Sequence, residues 1–219
     1  MSIIVYGVPL SPYVRKVRFC LDYKQLDYQL EIVLPFDQPD WFKEMNPLGR
    51  IPALKEGDLT LADSSVICQY IDEKYSNLPS VLGETPAQRA QVRWLEKYAD
   101  YELAPLTTFT IFQQRVISPS MQKQPDEALI LSALTEKLPP HFDYLENILG
   151  DNEFFVGNSL TLADIAFCCQ LINMEHGGEQ IDAQRWPNLT ALYKRIKSSA
   201  AIQNMLEGEQ KILNTFKRG

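Results

Sequence analysis

Histidine and cysteine are both scarce in this 219-residue chain, and their spacing denies them the usual metal and disulfide roles. The two histidines, His141 and His176, have no partners at ligand spacing, so no metal site is expected. The four cysteines, Cys20, Cys68, Cys168 and Cys169, form no C-x-x-C pair, and the adjacent two sit inside the apolar run 165–172. They read as buried, reduced thiols rather than a disulfide framework. No apolar stretch approaches the roughly 18 residues that a membrane span needs. The first ten residues lack the basic start, apolar stretch and cleavage site of a secretory leader, so a cytoplasmic location is expected. Basic residues are outnumbered, 21 Lys and Arg against 28 Asp and Glu, for a net charge of −7. That sign opposes nucleic acid and anionic membrane surfaces as partners. A basic cluster near the start, Arg15, Lys16 and Arg18, reads as a solvated helix face. Glycine and proline are modest and without period, and 45% apolar with 22% charged residues excludes disorder and leaves enough material for a packed core.

Elements alternate in the first third. Residues 3–6 form a short β-branched run, and Val14, Val17 and Leu21 recur at helical spacing after Ser11 and Pro12. Residues 28–34 read as a second strand and 41–45 as a short irregular helix before the turn residues Asn46, Pro47 and Gly49. Residues 52–54 and 59–61 flank the Glu56, Gly57, Asp58 turn of a hairpin, and Asp63 and Ser64 open a further helix. The order is β-α-β-α-β-β-α, giving an α/β unit over 1–77, a linker over 78–86 and an all-helical unit over 87–219. In the second unit one long helix over 87–116 carries Trp94, Tyr98, Tyr101, Pro105, Thr108 and Phe112 as a single stripe, with a kink at Pro105; Trp94 and Tyr98 are expected to pack. Helices also fit 125–149, bent or broken at Pro139 and Pro140, then 162–174, 188–198 and 200–213. Thr161 and Asp164 have capping-box spacing, with Leu160 and Ile165 as a hydrophobic staple, ahead of an almost wholly apolar helix expected at the centre of this unit.

At the first strand-to-helix junction, Ser11 can occupy the N-cap and Pro12 the first helical position. A hydroxyl there sits at the positive end of a helix, where unpaired N–H groups favour an anion. From cap chemistry alone the plainer reading, that Ser11 merely caps the helix, is favoured. Further along come Asn46, Pro47, Leu48, Gly49, Arg50, Ile51 and Pro52, then Leu61, Ala62, Asp63, Ser64 and Ser65, then the Thr161 to Asp164 cap. Taken in this order, these residues resemble the cytosolic glutathione transferase family over nearly the whole chain.

The resemblance implies a thioredoxin-like N-terminal domain with an all-α C-terminal domain, and a serine-type member in which Ser11 steadies the glutathione thiolate. Ser11 stands where thiol-transfer members carry Cys, and serine forms no mixed disulfide. Tyr6 is the rival hydroxyl, since tyrosine-type members use one near the end of this strand; Ser11 is preferred. An ordinary thiol of pKa about 8.5 is only a few per cent ionised at neutral pH, and lowering it by about two units takes roughly 2.7 kcal/mol. A charge-assisted hydrogen bond and a helix N-terminus together can supply that much. The resemblance further implies a cis Ile51–Pro52 bond that exposes the main chain of Ile51 to a peptide ligand, with Asp63 and Ser64 holding the γ-glutamyl end. Asp63 stands where the family usually has Glu. Arg50, in place of the common Lys, would face the glycyl carboxylate, and Gln38 falls near another contact position.

Tyr101, Thr108 and Phe112 are the implied lining of a hydrophobic second-substrate pocket, and Asp100 would reach a neighbouring subunit's ligand unless it is an ordinary exposed helix charge. The expected activity is glutathione S-transferase chemistry on a small electrophile, of the detoxification type, by a homodimer that uses glutathione as co-substrate and no other cofactor. Two rivals share the architecture. A maleylacetoacetate-type isomerase would carry Ser-Ser-Cys-Ser, which residues 10–13 lack. A stringent-starvation-type interaction protein would have no catalysis at all.

Overall fold

The computed structural model describes residues 2–216. The chain divides after Leu82 into two units, Met1–Leu82 and Gly83–Gly219. The first contains β1 (Ile3–Gly7), α1 (Pro12–Tyr23), β2 (Tyr28–Ile32), α2 (Asp40–Met45), β3 (Ala53–Glu56), β4 (Leu59–Ala62) and α3 (Ser64–Lys74). Its sheet runs β2-β1-β3-β4. β1 pairs parallel with β2, Ile3 opposite Tyr28, and antiparallel with β3, Val5 opposite Leu54; β3 and β4 form the expected hairpin. α1 packs against α3, and Val14, Val17 and Leu21 are fully buried, as their spacing requires.

The basic cluster on α1 is not a solvated face. Arg15 and Lys16 are buried and both have partners. Eight of the twelve α1 residues are buried, too many for one apolar stripe, so the aliphatic stems of long cations fill the remaining inward positions. A second buried cation, Lys24, sits 2.9 Å from Asp72 and donates to the Pro79 carbonyl at 2.8 Å, while Asp72 also accepts from Val81 N and Ser80 Oγ. These bonds tie residues 79–81 to α3 and to the end of α1. Glu56 at the end of β3 gathers Lys74, Tyr70 and Tyr75. Burial pushes its carboxyl up, but these donors outweigh that and hold it below the ordinary range.

The second unit is all-helical: α4 (86–120), α5 (127–149), α6 (Leu162–His176), α7 (Pro187–Lys197) and α8 (Ala200–Phe216). Thr85 and Gln88 close a capping box at the start of α4. α4 is not an α-helix kinked at Pro105. Its turns widen to π geometry over Ala99–Leu103 and again over Thr107–Ile117. The buried positions give the reason: Val92, Glu96, Asp100, Ala104, Thr108 and Phe112 recur at every fourth residue, with Leu95, Ala99, Leu103, Thr107 and Ile111 beside them. An α-helix turns once in 3.6 residues and would drift off such a face; wider turns hold it in phase. The expected single stripe is consequently split, Trp94 and Tyr101 lying outside and Thr108 and Phe112 inside. α5 bends without breaking: a π turn over Ala133–Lys137 precedes Pro139 and Pro140, which fall in the first turn of its last segment, where proline is tolerated. α6 is buried from Leu162 to Met174. Asp164 receives the amides of Thr161 (2.7 Å) and Phe155 (2.8 Å) and the Thr161 hydroxyl. Burial nevertheless raises its carboxyl to about 6. The four cysteines are buried and none of them forms a disulfide, and no helix among the described residues is long and apolar enough to cross a membrane.

Candidate active site

β1 ends at Gly7, whose φ of +151° and close neighbours admit no side chain: a Cβ there would lie 2.5 Å from Val14 Cγ2 and 3.3 Å from Ile51 Cβ. This close approach seats the start of α1 beside residue 51. Ser11 is the N-cap of α1, extended at φ −73° and ψ 124°, and Pro12 takes the first helical position. Its Oγ accepts from Val14 N at 3.4 Å, a long contact. A hydroxyl that accepts one bond keeps its proton to give. Among the described residues Ser11 Oγ donates to no acceptor, and the residue is half-buried. One oxygen thus serves as a weak cap and still has an O–H to offer.

Tyr6, the rival hydroxyl, is buried in a cluster with Val33, Phe42 and Ala53. Its ring meets Trp41 at 5.5 Å and Phe42 at 6.2 Å edge-on. Burial, with the Glu31 charge, raises its phenol above the ordinary value.

The turn after α2 is built by Asn46, a residue whose role the sequence did not announce beyond its turn-forming type. Its side chain is buried, accepts from Leu48 N at 3.2 Å and donates to the Arg50 carbonyl at 2.5 Å. Gln38 donates to the Gly49 carbonyl at 2.5 Å. Gly49 itself has φ +60°, and a Cβ on it would meet Gln38 Oε1 at 2.7 Å. Gln38 thus braces the turn that carries Arg50, whose own side chain is exposed. The Ile51–Pro52 bond is cis.

Asp63 lies between β4 and α3 with φ +74°, a conformation that non-glycine residues seldom adopt. One carboxylate oxygen caps α3, accepting from Ser65 N at 2.9 Å and Val66 N at 3.3 Å. The carboxylate is solvent-exposed, and its second oxygen has no partner among the described residues. Ser64 beside it is 5% exposed. Such a strained position held by its own cap is the kind of local cost that clusters at binding sites. The first unit therefore offers a hydroxyl at one helix N-terminus, a carboxylate at another and an exposed guanidinium on a braced turn.

In the helical unit Tyr101 is 64% exposed, whereas Thr108 is 7% exposed and donates its hydroxyl to Gln170 Oε1 at 2.7 Å, and Phe112 is 5% exposed with its ring centroid 6.3 Å from that of His176. Asp100 is buried and partnered rather than an exposed helix charge. Trp94, expected to pack, is 58% exposed, its indole donating to Tyr144 Oη at 3.1 Å. Of the histidines, His141 Nδ1 lies 2.7 Å from Tyr98 Oη and His176 Nε2 lies 2.7 Å from Glu209 Oε2.

Residues 5–80 match the family model for the glutathione S-transferase N-terminal domain, and residues 112–209 match that for its C-terminal domain. The chain is 34% identical to glutathione S-transferase 3 of Zea mays over 168 residues, 73% of this chain and 72% of that one. It is 27% identical to FtsZ-localized protein A of Caulobacter vibrioides over 92% of this chain and 90% of the relative. A solved glutathione S-transferase from Rhodospirillum rubrum superposes with a TM-score of 0.84 at 30% identity, covering 93% of this chain and 91% of that one. With both domain models matched in order and this likeness to transferases of known structure, the chain belongs to the glutathione S-transferase family.

Proposed function

We propose that the protein is a glutathione transferase in which the Ser11 hydroxyl donates to the glutathione sulfur and holds it as thiolate for attack on a small apolar electrophile. The observation that carries this reading is the uncommitted O–H of Ser11 at the N-terminus of α1. A donor and a helix N-terminus acting on one atom favour its anionic form. In this reading the Asp63 carboxylate takes the γ-glutamyl ammonium, Ser64 and the first amides of α3 its carboxylate, and Arg50 the glycyl carboxylate. The Ile51 main chain pairs with the tripeptide as an added strand does, and Gln38 acts through the turn it braces. The thiolate adds to the electrophilic carbon and the leaving group departs with the electron pair of the broken bond, so no electron carrier is required. We also assign the second substrate to the helical unit at Tyr101, Thr108 and Phe112, and a homodimer as the working form.

Retention on immobilised glutathione together with conjugation of 1-chloro-2,4-dinitrobenzene tests the reading. Retention and turnover support it, and absence of both overturns it. The likeness to an FtsZ-localized protein favours a second reading, an interaction protein without catalysis. That reading expects neither retention nor turnover.

A further inference from the structure

The sheet of the first unit ends at β2, which pairs with β1 on one side and with no strand on the other. In a parallel pair the backbone groups of alternate residues turn toward the partner strand, and those between turn away. Val33 N donates to the Gly7 carbonyl at 3.4 Å, which sets Gln29, Glu31 and Val33 toward β1 and points the N–H and C=O of Tyr28, Leu30 and Ile32 outward. Among the described residues these outward groups make no backbone hydrogen bond. Exposed edges are ordinarily blunted by lysine or by cover, and β2 has no lysine. Apolar side chains stay exposed at every second position beyond it: Ile32 at 61%, Leu34 at 52% and Phe36 at 84%. Pro35, which has no N–H, limits the stretch that a further strand can use.

The same edge is where the negative charge of the chain concentrates. Residues 25–45 carry Asp27, Glu31, Asp37, Asp40 and Glu44 against Lys43 alone, so 21 of 219 residues hold −4 of the net −7. All five acidic residues are exposed. Along β2, Gln29 and Glu31 lie on one face of the sheet, and Leu30 and Ile32 on the other, the face on which Tyr28 Oη accepts from Arg18 Nε of α1 at 3.1 Å. Like charge argues against a second copy as the occupant, because two antiparallel edges centred on Gln29 would set Asp27 against Glu31 twice.

We propose that the outer edge of β2 is a docking site for an extended segment of a partner protein in which basic and apolar residues alternate. The segment adds as a fifth strand: its main chain takes up the outward groups of Tyr28, Leu30 and Ile32, its Lys or Arg side chains meet Glu31, and its apolar side chains cover Leu30 and Ile32. Main-chain bonds carry the affinity, and the acidic surroundings select the charge of the partner, so binding weakens as salt rises. The proposal does not depend on Ser11 or on glutathione chemistry.

The full-length protein is titrated into the fluorescein-labelled peptide Thr-Lys-Val-Arg-Val-Lys-Thr and into its counterpart with Glu at the three basic positions, with anisotropy as the readout and S-hexylglutathione present throughout. The basic peptide should bind saturably, about tenfold or more tighter than the acidic one, and loosen with added salt. N-methylation of one alternate set of peptide residues should abolish binding while methylation of the other set leaves it, the mark of strand addition. Ile32→Pro, which removes an outward N–H and no bond to β1, should weaken binding about fivefold, the worth of one backbone hydrogen bond. Glu31→Lys should weaken it about tenfold. Should Ile32→Pro fail to fold, the two methylated peptides make the same test from the partner's side. No binding, equal binding of the two peptides, or indifference to which set is methylated overturns the proposal. Self-association of the protein that Ile32→Pro abolishes also overturns it, by making a second copy the occupant.

Discussion

Replacing Ser11 with alanine separates its two roles by pH. The Val14 N to Oγ contact is long at 3.4 Å, so the lost cap should cost near the lower end of the range for such caps, about 0.5 kcal/mol, and the melting temperature should hardly move. The lost O–H donor to an anionic sulfur is worth about 1.5 to 3 kcal/mol, or roughly one to two pKa units on the bound thiol. If bound glutathione titrates near 6.5 in the native protein and near 8 in S11A, the thiolate fraction at pH 7 falls from about three quarters to about one tenth. Conjugation at pH 7 should therefore drop about eightfold, and the deficit should close as pH rises past 9. The assay is kcat/KM for 1-chloro-2,4-dinitrobenzene across pH, with the ultraviolet absorbance of the thiolate as a second readout. Ser11→Thr, which keeps a hydroxyl, should restore the lower apparent pKa. A loss that is uniform across pH, or no loss at all, would refute the donor role.

Asp63→Asn keeps an oxygen to cap α3 but removes the charge, so KM for glutathione should rise about tenfold with stability nearly unchanged, as kinetics and thermal melts will show. Gly49→Ala places a Cβ 2.7 Å from Gln38 Oε1 at φ +60°, which should destabilise by about 1 to 2 kcal/mol in denaturant titration and raise KM through the displaced Arg50. The Asp164 carboxyl titrates near 6 when folded and near 3.8 otherwise, so the folded state holds the extra proton between those values. Stability should therefore fall by about 2 kcal/mol as pH rises from 4 to 6 and level off above about 7; Asp164→Asn should remove this slope, and a wild-type curve that rises through the interval would contradict the assignment.

The α/β order of the first unit was legible because each element is short, bounded by turn residues and patterned at one period. Ser11–Pro12 and Asp63–Ser64 were legible for the same reason, as cap chemistry is local. The Asn46 brace was not, since its two bonds depend on how residues 46–50 fold back on themselves. Burial of Arg15 and Lys16 also escaped, because charge argues for solvent until a partner is known. Trp94, Tyr98, Tyr101, Pro105, Thr108 and Phe112 follow α-helical steps of four and three, while the buried face of α4 follows steps of four. The period was present in the sequence, but several of its members, Glu96, Asp100 and Thr108, are polar and do not register as a hydrophobic repeat.

The widened turns of α4 make its length and its orientation separable. A helix that already carries surplus residues can shed one between 99 and 117 by tightening a loop of its own spiral, without breaking a strand or opening the bundle. The loss would be taken up as one narrower turn, so the segments on either side of it would keep the faces they present. Thr108 would stay on Gln170, and Arg115 would stay beside Glu127. Relatives that differ by one residue here would be expected to keep both the architecture and the chemistry at the end of this helix.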